Sequence, residues 1–335
     1  MKAVIPVAGI GTRLRPHTYT HPKPLIPVAG KPILGYIIEH LQEAGIEEFV
    51  FIVGYLGDKI IDFVQEKFPN LKAEFVLQNR REGLGHAIYL AKDVINNEPI
   101  IIVLGDTIVD SDIKELLEEK NSAVGIKKVA DPRNFGVAML NDKDYVTELV
   151  EKPKIPKSNL ALVGIYKILE TQTLMESLAF NIENDIRTNG EFHLTDALAL
   201  MVKKYDIKVK AVKINNWFDL GKRDILLETN AVLLKKYYNN VILSQKHSNT
   251  IIIPPVFIAE NAKISNSIIG PNVTIGENAN IEYSIITDSI IGNYTQLSHV
   301  HLNFSIIGND AVIKGNSQSL NIGDNTEIDL SGQHN

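Results

Sequence analysis

No cysteine occurs among the 335 residues, which removes disulfide frameworks and thiolate nucleophiles from consideration. Long apolar runs are missing too: no stretch reaches the roughly 18 residues that a membrane-spanning helix needs. Nor is there a basic excess, because 34 Lys and Arg face 40 Asp and Glu for a formal charge of −6. A general nucleic-acid binder usually carries the opposite balance. What is present is ordinary globular composition, 44% hydrophobic and 22% charged, too apolar for a disordered chain. The opening Met1-Lys2-Ala3-Val4-Ile5-Pro6 is apolar but short, contains Pro6 and soon meets Arg13 and Arg15. It reads as a strand rather than a secretory leader, so a cytoplasmic protein without membrane partners is expected.

The charge is unevenly placed. Residues 251–335 hold eight acids and only two bases, Lys263 and Lys314, while the first 250 residues hold 32 of each sign. The grammar changes at the same place, near Asn239–Asn249, ahead of Ile251-Ile252-Ile253 and the breaker Pro254-Pro255. Two domains are therefore expected, at 1–240 and 251–330. In the second, apolar anchors recur at Ile258, Ile264, Ile269, Ile275, Ile281, Ile286, Ile291, Leu297, Leu302, Ile307 and Ile313, always five or six residues apart. Sandwich strands would be spaced about 8–12 residues apart. A period near six instead suits a coil with three short flat sides per turn, whose anchors stack into one core. Asn272, Asn278, Asn293 and Asn309 are candidates for left-handed corners. The pattern resembles the hexapeptide-repeat left-handed parallel β-helix, with Ser319-Leu320-Asn321-Ile322-Gly323-Asp324 as its end or cap.

The first part alternates strands and helices. Strands are predicted at 2–7, 49–53, 73–77 and 100–104, and helices at about 33–44, 58–68 and 84–95. This order argues for a three-layer α/β domain with a mostly parallel sheet, whose ligands bind beyond the C-terminal strand ends. The loop after the first strand, Ala8-Gly9-Ile10-Gly11-Thr12-Arg13-Leu14-Arg15-Pro16, has Leu14 where a dinucleotide fingerprint has its third glycine, and it lacks the Gly-Lys-Ser/Thr end of a P-loop. On its own it is a small-residue turn whose N–H groups can approach phosphate, with Arg13 as a fixed positive fork.

Combined with Pro22-Lys23-Pro24-Leu25-x-Pro27-x-x-Gly30-Lys31-Pro32, that loop resembles the signature of the sugar-1-phosphate nucleotidylyltransferases, and the resemblance runs along nearly the whole chain. It is most similar to the long form of glucose-1-phosphate thymidylyltransferase, in which a C-terminal left-handed β-helix follows a Rossmann-like nucleotidyltransferase domain. The resemblance implies nucleotide binding by Ala8, Gly9, Gly11, Thr12, Arg13, Gln78, Gly83 and Asp106, with Gln78 and the Gly83 backbone reading a pyrimidine edge. It implies Mg²⁺ on Asp106, in Gly105-Asp106, and on Asp219, in Trp217-Phe218-Asp219-Leu220-Gly221. It further implies sugar-phosphate binding by Gly136, Glu151, Lys152, Gly164, Tyr166 and Glu191, and catalytic roles for Arg13, Lys23 and Lys152. Where short relatives read Arg-Gly-Glu, this chain has Asn189-Gly190-Glu191, with Arg187 two places earlier. His86 begins a helix and reads as structural.

The implied reaction joins a nucleoside triphosphate to a sugar-1-phosphate, releasing pyrophosphate. The attacking phosphate is already an anion at neutral pH, so positioning and electrostatics suffice, without a protein nucleophile. The residues leave dTTP and UTP open; glucose is the default sugar, beside N-acetylglucosamine and mannose. A homo-oligomer is expected, because β-helices often pack side by side. The alternatives are a bifunctional enzyme whose β-helix transfers acetyl groups with His299 or His301 as base, and a non-catalytic regulatory homologue.

Overall fold

The computed structural model describes residues 1–109, 113–239 and 247–315. It divides into two compact units, Met1–Leu233 and Leu234–Asn335. The proposed cap at 319–324 lies outside the described residues.

Unit 1 is built on a nine-stranded mixed sheet. Its parallel half comprises β1 (Lys2–Pro6), β2 (Glu48–Val53), β3 (Lys72–Leu77) and β4 (Ile100–Val103), in the order β4-β1-β2-β3. Helices α1 (Ile33–Glu43), α2 (Gly57–Lys67) and α3 (Leu84–Leu90) fall between them. β1 and β4 are buried almost throughout, as continuous apolar runs in a covered parallel sheet must be. The helix expected at 84–95 is interrupted at Ala91, whose carbonyl takes the N–H of both Val94 and Ile95 and tightens the ladder locally.

Three-residue β5 (Thr107–Val109) precedes β6 (Ser122–Lys128), β7 (Gly136–Leu140), β8 (Val146–Glu151) and β9 (Leu160–Ile168). β9 pairs antiparallel with β4, β6 and β7, and β7 pairs antiparallel with β8. Then come α4 (Thr171–Glu183), α5 (Leu194–Lys204), β10 (Val209–Lys213), β11 (Trp217–Asp219) and α6 (Arg223–Tyr238). The core between sheet and helices is mainly Ile, Val, Leu and Ala, including Ile88, Ile102, Leu174 and Leu198.

Unit 2 is a left-handed parallel β-helix. Three four-stranded parallel sheets begin at Ile251–Ile252, Val256–Ile258 and Lys263–Ser265. Ile258 lies opposite Ile275, Ile275 opposite Ile291, and Ile291 opposite Ile307, so coils of 17 and then 16 residues account for the mixed steps of five and six. The anchors meet inside: Ile269, Ile275, Ile281, Ile286, Ile291 and Leu297 are fully buried. The corners differ in part from expectation. Asn272 and Asn278 are left-handed, but at the later corners the left-handed residues are Tyr294 and Asp310. Asn293 and Asn309 contribute side chains instead, accepting the N–H groups of Glu277 at 2.9 Å and Asn293 at 2.8 Å from the coil before.

Candidate active site

Parallel strands leave their C-terminal ends as an open rim, and here that rim borders a cleft of about 590 Å³. The loop from Pro6 to Leu14 forms one wall, and the segment Gln78–Ala87 contributes to the other. Ala8, Gly9, Gly11, Thr12, Arg13, Gln78, Gly83 and Asp106 all line it, together with Lys23 and Glu191. Gly54 lies behind Ala8: a Cβ on Gly54 would sit 2.8 Å from the Ala8 methyl, so the loop's alanine is accommodated by the glycine that follows the neighbouring strand β2.

The two candidate metal carboxylates converge. β5 and β11 form an antiparallel ribbon in which Asp219 faces Thr107, and the Leu220 N–H donates to the Asp106 carbonyl at 3.1 Å. The buried Lys23 ammonium donates to Asp106 Oδ2 at 2.5 Å. Arg13 closes the cluster: a Cβ on Gly221 would lie 3.1 Å from Asp219 Oδ1 and 3.5 Å from Arg13 Nη1. Burial pushes the Asp219 carboxyl above the usual carboxylate range, and the nearby Asp106 charge adds to this. Lys23, Arg13 and the Gly221 N–H pull the other way. Two facing carboxylates, one destabilised as an anion, fit a hard divalent cation that takes one or two protein oxygens and completes its shell elsewhere. Among the described residues no third His, Cys, Asp or Glu joins a metal-sized group.

Gln78 is buried at the end of β3. Its Nε2 reaches the Gly83 carbonyl at 3.1 Å and His86 Nδ1 at 3.3 Å. With both amide hydrogens committed inward, this side chain can serve a base only as an acceptor. His86 is thus a support for Gln78. Arg81, which also lines the cleft, was missed in the sequence; its loop's run of charges was the available signal.

The sugar-phosphate candidates divide. Glu151 ends β8 directly opposite Gly136 on β7, and a Cβ at 136 would lie 3.1 Å from Glu151 Oε2 and 2.9 Å from Thr195 Oγ1. The Lys152 ammonium is 3.5 Å from Glu151 Oε1. Its backbone takes the left-handed value φ 41°, strain of a kind that concentrates at functional sites. Of the six candidates only Glu191 lines the cleft; Gly136, Glu151, Lys152, Gly164 and Tyr166 do not. Gly164 packs against Leu104 and Thr107, and Tyr166 is buried in the core, its phenol pushed up by burial and then by the charges of Glu151 and Asp106. Arg187 is engaged elsewhere, with Nε 2.6 Å from Asp185 Oδ1 and its guanidinium over the Phe192 ring. Sequence reasoning missed what surrounds Glu151: Thr195 Oγ1, from the start of α5, donates to it, and Nδ1 of His193 lies 3.4 Å from its other oxygen.

Residues 2–236 match the profile of the family described as Nucleotidyl transferase. The bifunctional protein GlmU of Methanocaldococcus jannaschii is 40% identical over 263 residues, which cover 78% of this chain and 61% of that protein. Glucose-1-phosphate thymidylyltransferase of Streptomyces griseus is 35% identical over 242 residues, 70% of this chain and 66% of that one. The chain thus spans under two thirds of these relatives' length. Among solved structures, a UDP-glucose pyrophosphorylase complexed with UDP-glucose superposes with a TM-score of 0.60 at 27% identity, covering 70% of this chain and 98% of its own.

Proposed function

Because this chain belongs to the nucleotidyl transferase family, we propose that it joins a nucleoside triphosphate to a sugar-1-phosphate, forming a nucleoside diphosphate-sugar and pyrophosphate. The observation that carries the proposal is the convergence of Arg13, Lys23 and Asp106 on the cleft wall, with Asp219 brought beside them by the β5–β11 ribbon; Glu151 and Lys152 stand together at the end of β8. In this reading a sugar-phosphate oxygen attacks the α-phosphorus, and the bond to the β-phosphate breaks, its electrons leaving with pyrophosphate. Lys152 aligns the attacking phosphate, and Arg13 and Lys23 meet charge on the departing phosphates, so catalysis is placement and electrostatics. Members of the family generally use a divalent metal; here Mg²⁺ would be held by Asp106 and Asp219, and when bound it would neutralise triphosphate charge.

An acceptor-only Gln78 suits a base that presents a ring N–H, as thymine, uracil and guanine do and adenine and cytosine do not. The S. griseus relative's name and the UDP-glucose complex support glucose-1-phosphate as sugar substrate and dTTP or UTP as donor. Incubating the protein with five triphosphates against glucose-1-phosphate, N-acetylglucosamine-1-phosphate and mannose-1-phosphate, read by pyrophosphate release, tests this; turnover with ATP or CTP alone refutes the reading of Gln78.

The bifunctional name of the M. jannaschii relative favours a second reading, acetyl transfer by the β-helix. Of the bases it would use, His299 has Nδ1 2.8 Å from Ser298 Oγ and its ring stacked on Tyr283, and both it and His301 are exposed. Thiol release from acetyl-CoA with a sugar acceptor decides between the two; none is expected.

A further inference from the structure

Glu151 is a group that the family resemblance places on the sugar-phosphate, and its side chain is almost wholly buried. A buried carboxylate keeps its charge and direction only if neighbours bond it. Thr195 Oγ1 donates to Oε2 at 2.6 Å. The other oxygen, Oε1, faces the Lys152 ammonium at 3.5 Å and Nδ1 of His193 at 3.4 Å.

His193 immediately precedes α5 and is buried. Its Nε2 lies 3.0 Å from the carbonyl of Thr188. A carbonyl only accepts, so Nε2 must carry a proton. In a neutral ring Nδ1 is then bare, and its lone pair is set against the carboxylate oxygen. With both nitrogens protonated, the same contact is a charge-assisted hydrogen bond. The charged and titratable groups around the ring are Glu151 and Lys152 at the end of β8, Glu191 Oε2 at 4.0 Å from Nε2, and Asp196 in the first turn of α5. Burial holds the Asp196 carboxyl up, and His193 opposes this.

We propose that His193 is the positioning residue for Glu151, fixing its carboxylate for the sugar only while the ring carries both protons, so that sugar-phosphate affinity weakens as His193 deprotonates. The role rests on the reading of Glu151 as the sugar-binding group. It also links the two ends of the site. The Phe192 N–H donates to the Glu82 carbonyl at 2.8 Å and the Gly85 N–H to the Phe192 carbonyl at 2.7 Å, so the segment carrying His193 is tied to the base loop.

The experiment compares wild type with His193→Gln, which retains a donor toward the Thr188 carbonyl but cannot titrate, and with His193→Leu, which offers neither. The KM for glucose-1-phosphate or N-acetylglucosamine-1-phosphate, whichever the wild type turns over, is measured from about pH 6 to pH 8.5. The substrate phosphate itself titrates near pH 6, so the readout is the ratio of variant to wild type at each pH. At the acid end that ratio is expected to be about tenfold, the factor a charge-assisted bond supports, and to approach one at the alkaline end. The KM for the triphosphate stays within twofold. A ratio that is flat with pH, or a sugar-phosphate KM in His193→Gln within twofold of wild type throughout, overturns the positioning role alone. Failure of the wild type to use any sugar-1-phosphate overturns the functional reading and this role with it.

Discussion

Replacing Gly83 with alanine separates backbone strain from lost packing at the base-binding loop. Gly83 has φ 110° and ψ 175°, a region open essentially only to glycine, where another residue costs about 1–3 kcal/mol. An added Cβ would lie 2.8 Å from the Phe192 nitrogen and closer still to its carbonyl oxygen. Both atoms are backbone, so relief means breaking the tie to the loop, the bonds Phe192 N–H to Glu82 and Gly85 N–H to Phe192, each contributing about 1 kcal/mol net. The total is about 3–5 kcal/mol. For a unit of this size, roughly 2–4 °C of Tm per kcal/mol gives a fall of about 6–20 °C. Gly190→Ala is the control. Gly190 also has a left-handed backbone, φ 85°, but nothing stands within 4 Å of its Cβ position, so only the backbone cost of roughly 1 kcal/mol and a fall of about 2–4 °C are expected. Thermal melts followed by circular dichroism read both. Equal melting temperatures for the two variants would refute the packing half of the reasoning.

Asp219→Asn should trade activity for stability. A carboxyl raised above its unfolded value stabilises the fold at low pH and loses that contribution as pH climbs through the folded pKa, so the variant should melt above wild type at pH 7 and match it below about pH 4. Its pyrophosphate release should fall by about a hundredfold or more, and a folded variant with near-full activity would remove Asp219 from the site. His86→Ala should raise the KM for the triphosphate about three- to tenfold with kcat little changed, since Gln78 loses its support; an unchanged KM would show that the Gly83 carbonyl suffices. In the β-helix, Ile286→Ala should cost about 2–5 kcal/mol and Ile285→Ala under about 0.5, because the first side chain is fully buried and its neighbour is exposed; similar urea midpoints for the two would contradict the register.

The parts legible in the sequence are those where one short-range pattern is sufficient. Ile100 to Leu104 announces a buried strand because a covered parallel strand has no polar face to display. The anchors from Ile258 to Ile313 announce the β-helix because every coil repeats the same demand. What stayed hidden depends on pairing across long separations. β5 and β11 have only three residues each and no period to detect, yet their ribbon brings Asp219 to Asp106. The contacts of Glu151 with Thr195 and His193 span 44 and 42 positions and join residues that read locally as turn and helix start. Asn293 and Asn309 show a subtler limit. The residue type correctly suggested a corner, but asparagine can serve one through its backbone or its amide, and composition does not choose between them.

Net charge supplied no hint of an anion site, and the structure explains why. Lys23 sits on Asp106, and Arg13 lies beside Asp219, so two cations are offset by two carboxylates and the cluster alone offers a polyanion no net attraction. The carboxylates should therefore oppose triphosphate binding whenever divalent cations are withheld. In EDTA, the double variant Asp106→Asn, Asp219→Asn should bind the triphosphate about tenfold or more tightly than wild type, since removing two like charges within several ångströms of the phosphates outweighs 1.4 kcal/mol even at a surface-like dielectric of about 20. With Mg²⁺ the order should reverse, because the wild type regains a counter-charge that the double variant cannot hold. Equilibrium binding of a non-hydrolysable triphosphate, titrated in both conditions, reads the crossover without any turnover. If the double variant binds more weakly than wild type in EDTA as well, Asp106 and Asp219 hold the fold of the cleft rather than its charge.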